Sequence, residues 1–195
     1  MLALAEPVTP SEARQREARA RSRRDSITQL QAIGPAAQTP GETLQSILLQ
    51  LMQIAECERG MLFEVNEGRI VRTLATQGIE ADNWSRGGFS GSHGAVERAL
   101  ADRAPVFLSK AADATGMAGR ASVISGGIGA LAALPLLQAP DQLIGLCYLD
   151  SLDSERSFTE LDGELLGAFS GRAATMLALA LVDARIEALS RAHRP

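Results

Sequence analysis

Residues 128–152 constrain the fold of this chain more strongly than any other stretch of the sequence. They contain two apolar runs, 130–137 and 143–149, on either side of a polar break that includes Pro140. A break of this composition is typical of a turn between two strands. Because neither run alternates between apolar and polar residues, both faces of the hairpin should be covered, as at the centre of a sheet that is packed on each side.

The chain is large and apolar enough for one domain with appended helices. It has 195 residues, 46% of them hydrophobic, and a formal net charge of −4. Its apolar runs fall short of the roughly 18 residues that a membrane helix needs. The N-terminus lacks the layout of a secretory signal. We therefore expect a cytoplasmic protein with no membrane partner.

Basic residues are concentrated near the N-terminus, at Arg14, Arg16, Arg19, Arg21, Arg23 and Arg24. Glu12, Glu17 and Asp25 interrupt this cluster, and no aromatic residue lies between the arginines for stacking on bases. Mixed charge of this kind is typical of a solvated helix face. No nucleic-acid partner is expected.

Two capping motifs predict where helices begin in the first quarter of the chain. Thr9-Pro10-Ser11-Glu12 predicts a helix that ends at Gly34-Pro35 and has too few large apolar residues to fold alone. Thr39-Pro40-Gly41-Glu42 predicts a second, strongly amphipathic helix. Its apolar face includes Leu44, Ile47, Leu48, Leu51 and Ile54.

The middle of the chain predicts strands that alternate with irregular segments. A hairpin is expected from 61–65 and 69–75, followed by a loop over 77–91. Ser90 or Ser92 can cap a short helix through Ala101, and residues 105–109 form a further strand. Residues 110–127 are interpreted as a second loop.

A third capping motif, Thr159 to Asp162, opens a long C-terminal helix. Leu179, Val182, Ile186 and Leu189 recur in it at heptad-like spacing, which favours a paired helix. Two heptads are fewer than the three or four that establish a coiled coil from sequence.

Several short motifs then occur in a recognisable order: Glu58-Arg59-Gly60, Ala95 to Leu100 before Pro105-Val106, Pro135-Leu136, Gly145-Leu-Cys-Tyr-Leu-Asp-Ser151, Phe158-Thr-Glu-Leu-Asp162 and Asp183-Ala184-Arg185. Together they resemble the GAF domain, a regulatory sensor family that includes modules of bacterial signalling proteins. The resemblance covers about residues 40–187. It implies an α+β fold with a central antiparallel sheet of five or six strands. Terminal helices would cover one face, and ligand-pocket loops the other.

The resemblance also implies a division of the chain. Residues 1–38 would be a helical extension and linker, 39–190 the GAF domain with its C-terminal helix, and 191–195 a tail. In dimeric members the terminal helices form a bundle between subunits. The expected interface residues are Leu44, Leu48, Leu51, Leu179, Val182, Ile186 and Leu189. An output protein is a further expected partner.

On the loop face, the resemblance implies a small-molecule site beneath residues 77–95 and 110–127. The candidate contacts are Trp84, Phe89, Ser92, His93, Ser122, Ser125 and Tyr148. Other interpretations stay open: His93 as an exposed residue of a helix N-terminus, the two aromatic residues as anchors on the core, and the two later serines as turn residues. The sequence identifies neither the ligand nor a cofactor, and the motif of cyclic-nucleotide-binding members is not recognisable.

Enzyme motifs do not fit the chain. Gly88 to Ser92 lacks the last glycine of a nucleophile elbow, and the two histidines lie away from any cluster at zinc-ligand spacing. Cys57 and Cys147 lie in apolar patterns, as packing thiols do. Our leading hypothesis is therefore a non-enzymatic, dimeric sensor. The alternatives are a ligand-free scaffold for protein–protein interaction and an enzyme similar to free methionine sulfoxide reductases.

Overall fold

The computed structural model describes residues 39–80, 84, 89–109, 127–138 and 141–192. In chain order their elements are α1 (Pro40–Ala55), β1 (Arg59–Asn66), β2 (Arg69–Gln77), α2 (His93–Asp102), β3 (Val106–Ser109), β4 (Ala130–Gln138), β5 (Gln142–Ser151) and α3 (Glu160–Ala192). The helix predicted from Thr9, most of the second loop, Ser122 and Ser125 lie outside the described residues.

The strands form one five-stranded sheet in the order β2-β1-β5-β4-β3, and each neighbouring pair is antiparallel. The hairpin predicted from residues 128–152 is β4 and β5, which pair from Ala130 opposite Ser151 to Gln138 opposite Gln142. Every residue of β5 after Gln142 is buried, and so are the first seven residues of β4. The α+β fold with a central antiparallel sheet is confirmed.

Helix α1 begins at the predicted capping box. The backbone N–H of Thr39 donates to the Glu42 carboxylate at 2.8 Å, and the N–H of Glu42 donates to Thr39 Oγ1 at 3.3 Å. These hydrogen bonds satisfy two donors at the start of the helix. The capping residues predicted for α2 and α3 are also in place, with Ser92 before α2 and Thr159 bonded to Asp162 before α3.

Helices α1 and α3 lie on the same face of the sheet and pack against each other. Small residues of α3 allow the helix to lie close to the strands, and Gly145 of β5 is a point of close approach. A Cβ atom built there would lie 2.4 Å from Leu177 Cδ2. Because such a contact is shorter than atoms tolerate, this glycine lets a leucine of α3 rest directly on the strand backbone.

This packing corrects part of the predicted dimer interface. Leu44, Leu48 and Leu51 retain only 8%, 0% and 2% of their surface. They are buried against the chain's own sheet and α3, where a partner subunit could not contact them. The amphipathic pattern of α1 correctly indicated an apolar face to be covered, but the covering surface belongs to the same chain.

The second half of α3 is different from the first. Its predicted interface residues each keep between 53% and 63% of their surface exposed: Leu179, Val182, Ile186 and Leu189. By length and composition alone α3 is long and apolar enough to cross a membrane, and 33% of its most apolar window is buried in the fold. These four residues, which we call the exposed stripe, all lie in the C-terminal half of the helix.

Candidate functional site

The face of the sheet opposite α1 and α3 is built around Tyr148 of β5. Successive strand residues point to opposite faces, so Leu146, Tyr148 and Asp150 share one side while Cys147 and Leu149 point toward the helices. Met61 and Phe63 of β1 lie on the same side as Tyr148, with the inward face of α2. We call this side the loop face.

Tyr148 is completely buried and makes two hydrogen bonds. Its hydroxyl accepts from the backbone N–H of Ser92 at 3.1 Å and donates to Asp150 Oδ2 at 2.8 Å. Burial, together with the negative charge of Asp150, raises the pKa of Tyr148, so the phenol stays neutral at physiological pH. The hydroxyl thus ties the loop before α2 to the central strand.

Asp150 is held in turn by Arg59 at the start of β1. Arg59 Nε and Nη2 donate to the two carboxylate oxygens at 2.6 and 2.9 Å. The hydrogen bond to Asp150 raises the pKa of Arg59, whose Nη2 also reaches the carbonyl oxygen of Ser90 at 3.5 Å. The Asp150 side chain is fully buried and Arg59 is 16% exposed. Such a two-point arrangement fixes orientation as well as charge.

An aromatic cluster covers Tyr148. Phe89 lies 5.0 Å from the Tyr148 ring, 5.0 Å from His93 and 5.2 Å from Trp84 between ring centroids. Trp84 stacks on His93 at 4.8 Å and lies 5.2 Å from Phe63 of β1. Edge-to-face and offset stacking at these distances is favourable. Trp84 and Phe89 therefore anchor the loop on the core, and His93 belongs to the same cluster.

Two small residues allow the loop to descend onto Tyr148. Ser92 is buried, and its Oγ accepts from the N–H of Ala95 at 3.3 Å as the cap of α2. Gly91 precedes it, and a Cβ there would lie 2.7 Å from the Tyr148 hydroxyl and 2.3 Å from Phe89 Cζ. Only glycine fits at this position without moving a ring.

The structure thus brings together the predicted Trp84, Phe89, Ser92, His93 and Tyr148. Sequence reasoning missed Arg59, Asp150, Phe63 and Gly91 as members of the same cluster. Arg59 and Asp150 lie in the motifs that carried the family resemblance, but these motifs did not indicate that the two side chains pair. They are 91 positions apart, and only the pairing of β1 with β5 brings them together.

Neither cysteine belongs to the loop face: Cys147 of β5 points toward the helices, and Cys57 lies between α1 and β1. Both are buried free thiols. Burial raises the pKa of Cys57 to about 12 and also raises the pKa of Cys147, which disfavours the reactive thiolate form. Among the described residues, no group of three His, Cys, Asp or Glu side chains could hold a metal ion.

The sheet, with helices on one face and a loop on the other, defines an α+β domain, and sequence comparison identifies its family. The GAF domain profile matches residues 39–177, and the chain belongs to the GAF domain family. GAF domains are commonly signalling sensor modules. None of the curated proteins matches the chain.

Solved structures share the fold at low sequence identity. The GAF domain of an Acinetobacter phosphoenolpyruvate-protein phosphotransferase is 11% identical with a TM-score of 0.60, over 86% of this chain and 98% of that one. The GAF domain of a Pseudomonas syringae sensor histidine kinase is 18% identical with a TM-score of 0.52, over 92% and 97%. A Thermoplasma acidophilum type II free methionine-R-sulfoxide reductase is 13% identical with a TM-score of 0.52, over 71% and 92%. At these identities the similarity extends to the fold alone.

Proposed function

We propose that this protein is a non-enzymatic regulatory module of the cytoplasm that dimerises through α3 and responds to a small molecule on the loop face. The observation that carries the proposal is the continuity of α3. It packs on β4 and β5, with Leu177 against Gly145, and its part from Leu179 onward presents the exposed stripe. A change in the central strand would act on the helix that holds the partner.

The stripe supports dimerisation by a second copy of the chain. Leu179, Val182, Ile186 and Leu189 occupy successive a and d positions, and each is more than half exposed. Apolar residues at these positions pack between two helices in coiled coils. A contiguous apolar patch of this kind marks an interaction site more often than an ordinary surface does.

Size-exclusion chromatography with light scattering tests this step. We expect a dimer for the wild type and a monomer for Ile186→Glu, because a charge in the centre of the stripe would be buried without a partner. Leu161→Glu is the matched control, since Leu161 is an exposed leucine of the same helix outside the stripe. A wild-type monomer at high concentration, or a dimer of Ile186→Glu, would contradict the proposed interface.

The orientation of Tyr148 supports the site on the loop face. Its hydroxyl is directed toward the loop before α2, with Arg59 and Asp150 behind it, and not toward the helical layer. A ligand that displaced the loop would therefore meet polar groups connected to the central strands. Native mass spectrometry of the purified protein tests for a retained small molecule, and Tyr148→Phe should weaken its retention.

A second candidate function is a scaffold without a ligand. The aromatic cluster favours it, because Trp84, Phe89 and His93 already fill the surface above Tyr148. Under this hypothesis native mass spectra contain protein alone, and a second protein co-purifies in a manner that depends on α3.

The reductase alternative has less support. Its chemistry needs reactive thiolates near the pocket, whereas Cys57 and Cys147 are buried, and burial raises the pKa of both. Labelling with a thiol reagent distinguishes the cases. We expect no rapid reaction of the native protein, and reduction of free methionine sulfoxide that is lost in Cys147→Ser would overturn the non-enzymatic assignment.

A further inference from the structure

The Phe89 side chain occupies a place on the loop face that is lined by other rings. Tyr148 lies below it in an edge-to-face arrangement, and Trp84 and His93 flank it, all at 5.0 to 5.2 Å between centroids. Only 7% of Phe89 is exposed. Tyr148 belongs to β5 and His93 to α2, whereas Trp84 and Phe89 both belong to the segment between β2 and α2. The position is thus shaped for one planar ring.

Among the described residues, two hydrogen bonds join the backbone of residues 90–92 to side chains of the sheet. The N–H of Ser92 donates to the Tyr148 hydroxyl at 3.1 Å, and the carbonyl oxygen of Ser90 accepts from Arg59 at 3.5 Å. The second distance is at the limit of a hydrogen bond. Tyr148, Asp150 and Arg59 are fixed by the paired strands and by one another, so they would keep their places if the segment lifted.

We propose that Phe89 acts as an internal occupant of the loop-face site, and that a ligand with a planar aromatic ring binds by taking the place of the Phe89 ring. The inference rests on the proposed small-molecule function and names the ligand class. Displacement of Phe89 frees the Tyr148 hydroxyl from Ser92 and Arg59 from Ser90. The ligand can then form polar contacts with the same two groups that the loop releases. These groups are the Arg59 guanidinium on β1 and the Tyr148 hydroxyl on β5.

The first test restores the missing ring with a small molecule. Phe89→Ala removes a benzyl group, and toluene has the shape of that group. Thermal unfolding with and without toluene should show a rise in midpoint for Phe89→Ala, since binding to the folded state alone stabilises it. The wild type should show none. Phe158→Ala is the control, because Phe158 is a partly exposed ring that packs on Phe107 by the helices and encloses no such site.

The second test does not depend on the stability of that variant. Trp84 is the only tryptophan of the chain and contacts Phe89 directly, so quenching of its fluorescence by acrylamide reports opening of the cluster. Tyr148→Phe keeps the ring but removes the hydrogen bonds of the hydroxyl to Ser92 and to Asp150. Loss of the bond to Ser92 shifts the equilibrium by about twofold to about tenfold toward the open form. Quenching should increase accordingly.

The outcomes separate this inference from the proposed function. A toluene-dependent rise confined to Phe89→Ala, or increased quenching in Tyr148→Phe, supports an exchangeable Phe89. Equal toluene responses in the wild type and both alanine variants, with quenching unchanged in Tyr148→Phe, would overturn it. A small molecule retained in native mass spectra would then still support the sensor, with its site elsewhere.

Discussion

Gly91 illustrates how one residue sets the geometry of the loop face. The segment from Phe89 to Ser92 approaches Tyr148 so closely that no side chain fits at this position. The sequence shows Gly91 among several glycines and serines, where it reads as a turn residue. Its actual role depends on a contact with a strand more than fifty positions away, which no local pattern indicates.

The same contact gives a prediction. Gly91→Ala should destabilise the protein by about 1 to 3 kcal/mol, as overpacking of a core does, because Phe89 or Tyr148 must move. Gly94→Ala is the matched control, since no atom lies within 4 Å of a Cβ built at Gly94. In the helix α2, alanine there should be neutral or stabilising. Urea unfolding measures both variants, and equal stabilities would contradict the packing described for Gly91.

Cys57 gives a second prediction at this scale. Burial raises its pKa from an ordinary value near 9 to about 12. Between these values the folded protein keeps a proton that the unfolded chain releases, so the group's stabilising contribution is complete below pH 9 and is lost as pH rises. The expected decline is about 1.4 kcal/mol per pH unit at most. Between pH 8 and pH 11 the free energy of unfolding should therefore fall less steeply with pH for Cys57→Ala than for the wild type. An equal dependence on pH in the two proteins would contradict the burial of this thiol.

At the scale of elements, much of the fold could be predicted from the sequence. Capping motifs gave the starts of α1, α2 and α3 because such motifs are local and have a direct hydrogen-bond meaning. The unbroken apolar runs gave the central hairpin. The prediction that a second subunit covers the apolar face of α1 was wrong. Amphipathicity indicates that a helix face is covered, but it does not identify the surface that covers it. The ion pair of Arg59 with Asp150 needed the strand order, which sequence periodicity does not supply.

Arg156 connects the two helices that lie on the sheet. Its Nη2 and Nε atoms donate to the carbonyl oxygen of Ala55 at the end of α1, at 2.7 and 3.2 Å. Its Nη1 lies 3.7 Å from the Asp162 carboxylate in the first turn of α3, and its guanidinium packs over the Phe158 ring. One side chain thus satisfies a carbonyl group at the end of α1 and pairs with an acidic side chain in the first turn of α3.

Removal of this side chain should loosen that junction. We expect Arg156→Ala to lower the free energy of unfolding by about 1.5 to 3 kcal/mol, the range for hydrogen bonds to a charged group. Hydrogen exchange should increase most at the C-terminal turn of α1. Arg98→Ala is the control, because Arg98 forms only an exposed pair with Asp102, and such pairs contribute little. Equal effects of the two substitutions would exclude a connecting role for Arg156.

For the whole molecule, the charges beside the α3 stripe favour one orientation of the proposed dimer. With Leu179 and Ile186 at a positions, Asp183 occupies an e position and Arg185 a g position. In a parallel pair these face Ala178 and Ser190 of the other copy, which are uncharged. In an antiparallel pair centred on the stripe, Asp183 would oppose Asp183 and Arg185 would oppose Arg185. Like charges across an interface are unfavourable, so a parallel dimer is expected.

Cross-linking distinguishes the two orientations. In a parallel pair Leu189 meets its own copy, so Leu189→Cys should form an intermolecular disulfide under mild oxidation, whereas an antiparallel pair would place the two residues at opposite ends of the stripe. The native cysteines do not interfere because both are buried. Glu187→Cys, on the exposed side of the same turn, is the control and should stay monomeric on a non-reducing gel. Cross-linking of neither variant, with a dimer still present by light scattering, would contradict the parallel pair.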